Sequence, residues 1–412
     1  MSTHPSPGPR PSYAAVLRVP HARRTFAAAL LGRLSYGVVP LALMLAVTRA
    51  RGSYAVAGTV MALFSATSVF LSPARAALID RYGPRRALVP MAAAHTALLV
   101  LLAVLLWRPG AVPPLVLGAV TAAAGTCTPP LGPTMRAVWG RLAPDRALLQ
   151  RAYSLDGVAE ELLFVSGPLL VGGVVGFAPP AVGVLAGAAL MAVGTAGFVS
   201  SPAVRAVPAG ERTPDRPPAG RRVLRGLGRP VAAAAGVGLA LGVVELLVVA
   251  FAQAHGRDGG AAWVLAALSA GSAVGGLLNG AVAWRAAAGT RLPLQAAGLG
   301  LVLCAAGLAT GVGTLALAVA AGGLFVSPLI TTAYLIADEA AAPGARVRAG
   351  AWVNTAVNAG GTAGAAVAGV LVGWLPPGPC FAVTGGVMLL TALAVARGTA
   401  SARGTERAVP QE

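Results

Sequence analysis

The sequence predicts an all-α integral membrane protein with twelve transmembrane helices in two pseudo-symmetric six-helix bundles. Three observations predict it. Of the 412 residues, 56% are hydrophobic and 11% charged, with a mean hydropathy of +0.75; an ordinary soluble domain carries about 25% charged residues. Twelve apolar stretches are long enough to cross roughly 30 Å of hydrocarbon, where backbone groups deprived of water must bond within a helix. One hydrophilic stretch divides these twelve into two sets of six.

Residues 1–24 carry Pro5, Pro7, Pro9, Pro11, Arg10, Arg18, Arg23 and Arg24, with no small-residue cleavage site before a short apolar core. They read as a retained cytoplasmic tail. The N-terminal bundle, residues 25–200, holds spans Thr25 to Thr48, Ser53 to Leu78, Ala87 to Trp107, Val112 to Met135, Arg151 to Gly176 and Pro179 to Ser200. Residues 201–229 form a cytoplasmic linker containing Pro202, Pro208, Pro214, Pro217, Pro218 and seven arginines; such a composition cannot stay in lipid. The C-terminal bundle, residues 230–396, holds Pro230 to Ala254, Ala261 to Ala286, Thr290 to Gly311, Gly313 to Ala337, Arg346 to Trp374 and Gly378 to Ala396. Residues 397–412 are a second cytoplasmic tail. The abundance of glycine, 54 residues, favours closely packed helices over a β-barrel.

Arginine placement sets the orientation. All 31 basic residues are arginine. With the N-terminus inside, 26 of them fall in or around the tails and internal loops, and only Arg49, Arg51, Arg108 and Arg257 lie outside; Arg33 sits within the first span. That asymmetry places both termini in the cytoplasm of a multi-pass plasma (inner) membrane protein. It also accounts for the net charge of +18, so nucleic-acid binding is a poor reading. Cys127, Cys304 and Cys380 are scattered through apolar sequence and suggest neither a disulfide framework nor a metal site. No glycine-rich phosphate loop precedes a Lys and Ser or Thr, which argues against ATP-driven transport by this chain.

The segment Ile79-Asp80-Arg81-Tyr82-Gly83-Pro84-Arg85-Arg86 concentrates charge between the second and third spans. It resembles the loop between the second and third helices of the major facilitator superfamily, which reads G-x-x-x-D-R-x-G-R-R, with Ala76 where the first glycine falls. The fifth span carries Gly167-Pro168-Leu169-Leu170-Val171-Gly172-Gly173, which looks like the G-P-x-x-G-G motif of the superfamily's exporters with one extra residue. Plain helix packing is the alternative reading of Gly167, Pro168, Gly172 and Gly173. The resemblance implies the twelve-helix carrier fold, alternating access about a site between the halves, and a latch role for Asp80, Arg81, Gly83, Arg85 and Arg86. A weaker echo, Gly280, Arg285, Gly289 and Arg291, follows the eighth span without the Asp. Many proton-coupled members carry R-x-x-Q-G in the fourth helix, and that helix here reads Gly118 to Gly125 without it.

Ionisable groups inside a span are costly unless they face a cavity, pair, or take up a proton. Asp156 and Glu160 are one turn apart in the fifth span, with Glu161 turned about 100° away. Arg33 is the obvious cation, and a pair with Glu160 or Glu161 is expected, either as a static tie between helices or as a protonation switch. Asp156 has a further alternative, a wet position near the cytoplasmic end. Glu245 stands alone in the seventh span, a candidate for proton binding, for a cationic substrate, or for a tertiary salt bridge. Tyr36, Asn279, Asn354 and Asn358 are cavity polar candidates, with interhelical hydrogen bonding as the alternative. His95 reads as a packed core residue, and Asp338 and Glu339 as ion-pair partners near Arg346 and Arg348.

The sequence thus points to a monomeric secondary carrier, not an enzyme, with no cofactor. The resemblance implies that a proton gradient drives export of a small amphiphilic molecule. Proton-coupled uptake of a nutrient, and a carrier-like sensor or scaffold, are the alternatives.

Overall fold

The computed structural model describes residues 12–108, 110, 112–207, 220–257, 260–342 and 344–407. The central part of the expected linker and the extreme ends of both tails lie outside the described residues. The helices in order are α1 (Tyr13–Arg18), α2 (Ala22–Arg51), α3 (Tyr54–Phe70), α4 (Ser72–Tyr82), α5 (Pro84–Leu105), α6 (Pro114–Thr126), α7 (Leu131–Leu142), α8 (Arg146–Val175), α9 (Pro180–Ser200), α10 (Pro202–Arg205), α11 (Gly220–Ala254), α12 (Gly260–Ala281), α13 (Ala288–Ala306), α14 (Val312–Ala340), α15 (Arg346–Leu371) and α16 (Pro377–Arg407). No strand occurs among the described residues. α11 starts inside the segment read as linker, at Gly220.

Two spans are broken by proline. α3 and α4 meet at a 40° bend, where Pro73 lacks the N–H that a continuous helix needs. α6 and α7 are separated by Cys127 to Pro130, with Pro129 and Pro130 in succession. With each broken pair counted once, ten spans are long and apolar enough to cross a membrane by length and composition. α13 and α15 complete the twelve; Arg291 and Gln295 in one, Asn354 and Asn358 in the other, dilute their apolar runs.

Helix ends follow local chemistry. Asp145 caps α8 by accepting from the Leu148 N–H at 2.7 Å, and Ser53 caps α3 through Val56, each satisfying an orphan donor of the first turn. α5, α6 and α9 each begin at proline, where the missing N–H costs nothing. Gly83 turns the chain between α4 and α5 at φ 82°, a conformation open to glycine without strain.

The two halves repeat one packing plan. In the first, α2 packs on α8 and α9, α3 on α6, and α5 on α9. In the second, α11 packs on α15 and α16, α12 on α14, and α13 on α16. These are the same pairings shifted by six spans. Glycine sets the closest approach in each half: a Cβ on Gly167 would strike the Gly37 backbone, and one on Gly242 would strike Gly361.

Contacts between the halves concentrate at the face that carries α1, Asp145 and the start of α15. Among the described residues, side-chain hydrogen bonds, ion pairs and ring contacts across the halves fall within 136–161 of α7 and α8, 272–291 of α12 and α13, 334–339 of α14 and 346–355 of α15, with Tyr13, Val69 and Asp80. Phe164 and Val165 of α8 are exposed.

Candidate functional site

α8 brings two carboxylates, Asp156 and Glu160, to the middle of the N-terminal bundle. Asp156 lies ten residues into α8, about 15 Å along a helix about 45 Å long. Its register follows from the Asp145 cap and from Gly167, which lets α8 meet α2 at Gly37. That meeting carries Arg33 to the same level. Arg33 Nη1 donates to Asp156 Oδ1 at 2.6 Å, and its Nη2 lies 3.1 Å from Glu160 Oε2.

A second arginine completes the cluster. Arg136 of α7 places Nε 2.9 Å from Asp156 Oδ2 and donates from Nη2 to Glu160. The result is a tetrad of two guanidinium groups and two carboxylates with no net charge. Arg33, Asp156 and Arg136 are buried, while Glu160 keeps 27% of its side-chain surface exposed. Such charges persist in low dielectric only when paired and hydrogen-bonded on several sides.

The tetrad also touches the other half. The Arg136 guanidinium sits over the Tyr334 ring, 3.9 Å from its centroid, a cation–π contact, and Tyr153 meets Tyr334 edge-on. Tyr334 Oη donates to Asn354 Oδ1 at 3.5 Å. The tetrad is therefore in direct contact with the interface between the halves.

The structure places the sequence-predicted residues differently from one another. Arg33 pairs with Glu160, one of its two expected partners; Glu161 instead accepts from Ser272 of α12 at 2.8 Å. Asp156 is fully buried in the tetrad, not wet at a helix end. Tyr36 is half-buried. Its hydroxyl donates to Pro129 O and accepts from Leu131 N at 3.1 Å, closing the break between α6 and α7. Arg75 serves both breaks, donating to Ser68 O, Gly125 O and Thr126 O. Asn279 is buried against Ser154, and its carbonyl accepts from Gln150 and Trp284. Asn354 and Asn358 share one face of α15, and Glu245 of α11 is exposed. His95 is a buried core residue whose Nδ1–H donates to Ala124 O at 2.8 Å.

Arg136 was the functional candidate that arginine counting concealed. It falls one residue past the expected fourth span and was assigned to an internal loop. The available signal was the run Leu131 to Leu142, which after Pro130 continues the span as α7 and puts Arg136 on its second turn.

The profile of the family described as Major Facilitator Superfamily matches residues 25–314. The chain belongs to that superfamily. No curated protein sequence matches it. Three solved structures share its fold: a bacterial homologue of the iron transporter ferroportin in an outward-facing state (13% identity, TM-score 0.71, 91% of this chain and 97% of that one); the human organic anion transporter MFSD10 (15%, 0.68, 91% and 99%); and the Escherichia coli fucose:proton symporter (15%, 0.64, 92% and 99%). This superfamily member is thus a multi-pass membrane transporter and not an enzyme.

The superfamily loop motif docks across the halves. Asp80 accepts from the N–H groups of Val347 and Arg348, at 3.2 and 3.0 Å, at the start of α15. A carboxylate there satisfies orphan donors and complements the positive end of the helix dipole. Ala76, in the place of the motif's glycine, is fully buried. Arg81 lies over the Tyr82 ring, and Arg85 and Arg86 are exposed. In the fifth-span motif only Gly167 makes a close helix contact; Gly172 and Gly173 have no neighbour against their Cα positions. Asp338 and Glu339 pair with Arg346 and Arg146 at 3.6 and 2.6 Å, and Arg346 also donates to Gly140 O. Two apolar grooves, between α2, α8 and α9 and between α3 and α6, contain no ionisable group.

Proposed function

We propose that the protein is a proton-driven exporter of a small amphiphilic molecule, acting as a monomer in the plasma membrane by alternating access. The observation that carries the reading is the charge-balanced tetrad stacked, through Arg136, on Tyr334 of the opposite half. Protonating one carboxylate leaves the tetrad with an excess positive charge and loosens its hold on Arg136. The contact between the halves weakens with it.

The arginine distribution makes the closed face the cytoplasmic one, so the conformation corresponds to an outward-open carrier. In that state Glu160 is the tetrad member that solvent can reach, the one placed to accept a proton from outside. Proton loading then favours opening towards the cytoplasm, where cargo enters and the proton leaves. The tetrad supplies a route to coupling in place of the missing fourth-helix pattern.

The test uses inside-out vesicles from cells expressing the protein, with an acid-inside pH gradient and a panel of labelled amphiphiles. Export predicts gradient-dependent accumulation that a protonophore abolishes and that Glu160→Gln uncouples from pH. Uptake that appears only in right-side-out vesicles, driven by an inward proton gradient, would replace export with symport.

A further inference from the structure

We propose that α1 is a strap that holds the two halves shut at the face carrying it, fixed on the N-terminal half and hooked to the C-terminal half by the Tyr13 hydroxyl. The inference needs only a carrier whose halves separate at this face. It needs neither proton coupling nor a direction of transport.

α1 belongs to the first half. It packs against α2 and α8, Val16 is fully buried, and Arg23 Nε reaches back to donate to Leu17 O at 3.0 Å. Its joint to α2 includes His21 at φ 65°, the one non-glycine residue with a positive φ among the described residues, a backbone state that persists only where the surroundings hold it. The tip crosses to the other half. Tyr13 Oη donates to Leu277 O at 2.6 Å and lies 3.4 Å from Gly276 O, within the last two turns of α12, where the negative end of the helix dipole favours a donor. Gly280 makes the notch, since a Cβ there would strike that hydroxyl.

The hook sits where the repeated plan lacks a latch. In the first half the Asp80 carboxylate, at the end of the second span, grips the start of α15. The echo after the eighth span, Gly280 to Arg291, has no acid, and there the end of α12 meets α8 through neutral groups: Gln150 donates to Asn279 O, and Asn279 Nδ2 to Ser154 Oγ at 3.4 Å. A hydroxyl brought in by the tail adds the missing tie. Because the tail carries it, the hook can let go while every span stays in place.

Arg151 makes the closed strap work against a load. On α8, where α1 packs, Arg151 is 3% exposed, its Nε and Nη1 have no hydrogen-bond partner, and it forms no ion pair among the described residues. Its charge reaches the hook: burial pushes the Tyr13 phenol up and Arg151 pulls it down. An uncompensated buried guanidinium is costly, and water admitted when α1 lifts relieves it. The strap is therefore built to open and is not a permanent staple.

The experiment measures the maleimide labelling rate of Thr355→Cys, a buried position on α15 at the contact with Val69, in the full-length protein lacking Cys127, Cys304 and Cys380. This reporter sits on the opposite latch, so it registers separation of the halves and not local fraying of α1. Tyr13→Phe keeps the ring and removes the hook, and should raise the rate about fivefold, equivalent to about 1 kcal/mol. Val16→Ser loosens the anchor and should raise it at least as much; joined to Tyr13→Phe it should add nothing, because both release one strap. Arg151→Met removes the load and should slow labelling about fivefold. Size-exclusion profiles and helical circular dichroism confirm that each variant folds. An unchanged rate in Tyr13→Phe, effects of Tyr13→Phe and Val16→Ser that simply add, or faster labelling in Arg151→Met would overturn the strap.

Discussion

Replacing Arg136 by Gln should expose how far the tetrad acts as one unit. At an effective dielectric of 20, a unit-charge contact at the 2.9 Å separation of Arg136 and Asp156 carries about 6 kcal/mol of gross attraction. Desolvation of the groups offsets much of this, so removing one partner costs about 3–5 kcal/mol, chiefly because a buried carboxylate is left uncompensated. Arg136→Gln leaves Arg33 facing both Asp156 and Glu160. Adding Glu160→Gln restores neutrality and preserves the 2.6 Å Arg33–Asp156 hydrogen bond, so the double variant should recover about 2 kcal/mol or more of the loss. Unfolding free energies from SDS titration in mixed micelles measure all four corners of this cycle. Losses that simply add, with the double variant weaker than either single one, would refute the view that the four groups balance one another.

Three other outcomes follow from the same contacts. Asp80→Ala removes the cap on α15, worth about 1–2 kcal/mol, and should raise cysteine accessibility on the face that carries α1 and the start of α15 about 5- to 30-fold in the open population. Tyr13→Phe deletes the 2.6 Å bond from α1 to Leu277 O, a loss of about 1 kcal/mol that should shift the same accessibility about fivefold without altering thermal stability by more than a degree or two. Arg75→Met strands the carbonyls freed at both helix breaks and should cost about 3 kcal/mol or more, whereas Arg85→Gln, at an exposed position with no ion pair among the described residues, should change the denaturation midpoint within error.

The fold was legible because a membrane reduces the problem to length and hydropathy. Twelve apolar stretches, one arginine-rich divide and the Asp80 to Arg86 run suffice for the architecture. The candidate site was legible only in part. Arg33, Asp156 and Glu160 announce themselves because charge inside a span is costly, but which partner each takes depends on rotation about α8, and Asp156 took the pairing with Arg33 that had been expected of Glu160 or Glu161. Arg136 was hidden by a rule that is right for most arginines here, since the fourth span continues past two prolines as α7. Tyr36 and Arg75 were unreadable as clamps because their partners are backbone carbonyls set free by helix breaks, and a sequence shows the proline but not which side chain answers it. The contacts that close one face depend on tertiary geometry alone. Nothing in Asp80 itself points to Val347 and Arg348.

The central claim is that tetrad protonation governs the contact between the halves. The most direct measurement is the distance between spin labels at Arg141→Cys and Arg285→Cys, in a background lacking Cys127, Cys304 and Cys380, as pH is lowered from 8 to 3. The account predicts that acidification lengthens this distance as the cytoplasmic face opens, and that Glu160→Gln holds the long distance at every pH. A distance that ignores pH in the wild type, or a Glu160→Gln variant that still titrates like it, would contradict the account.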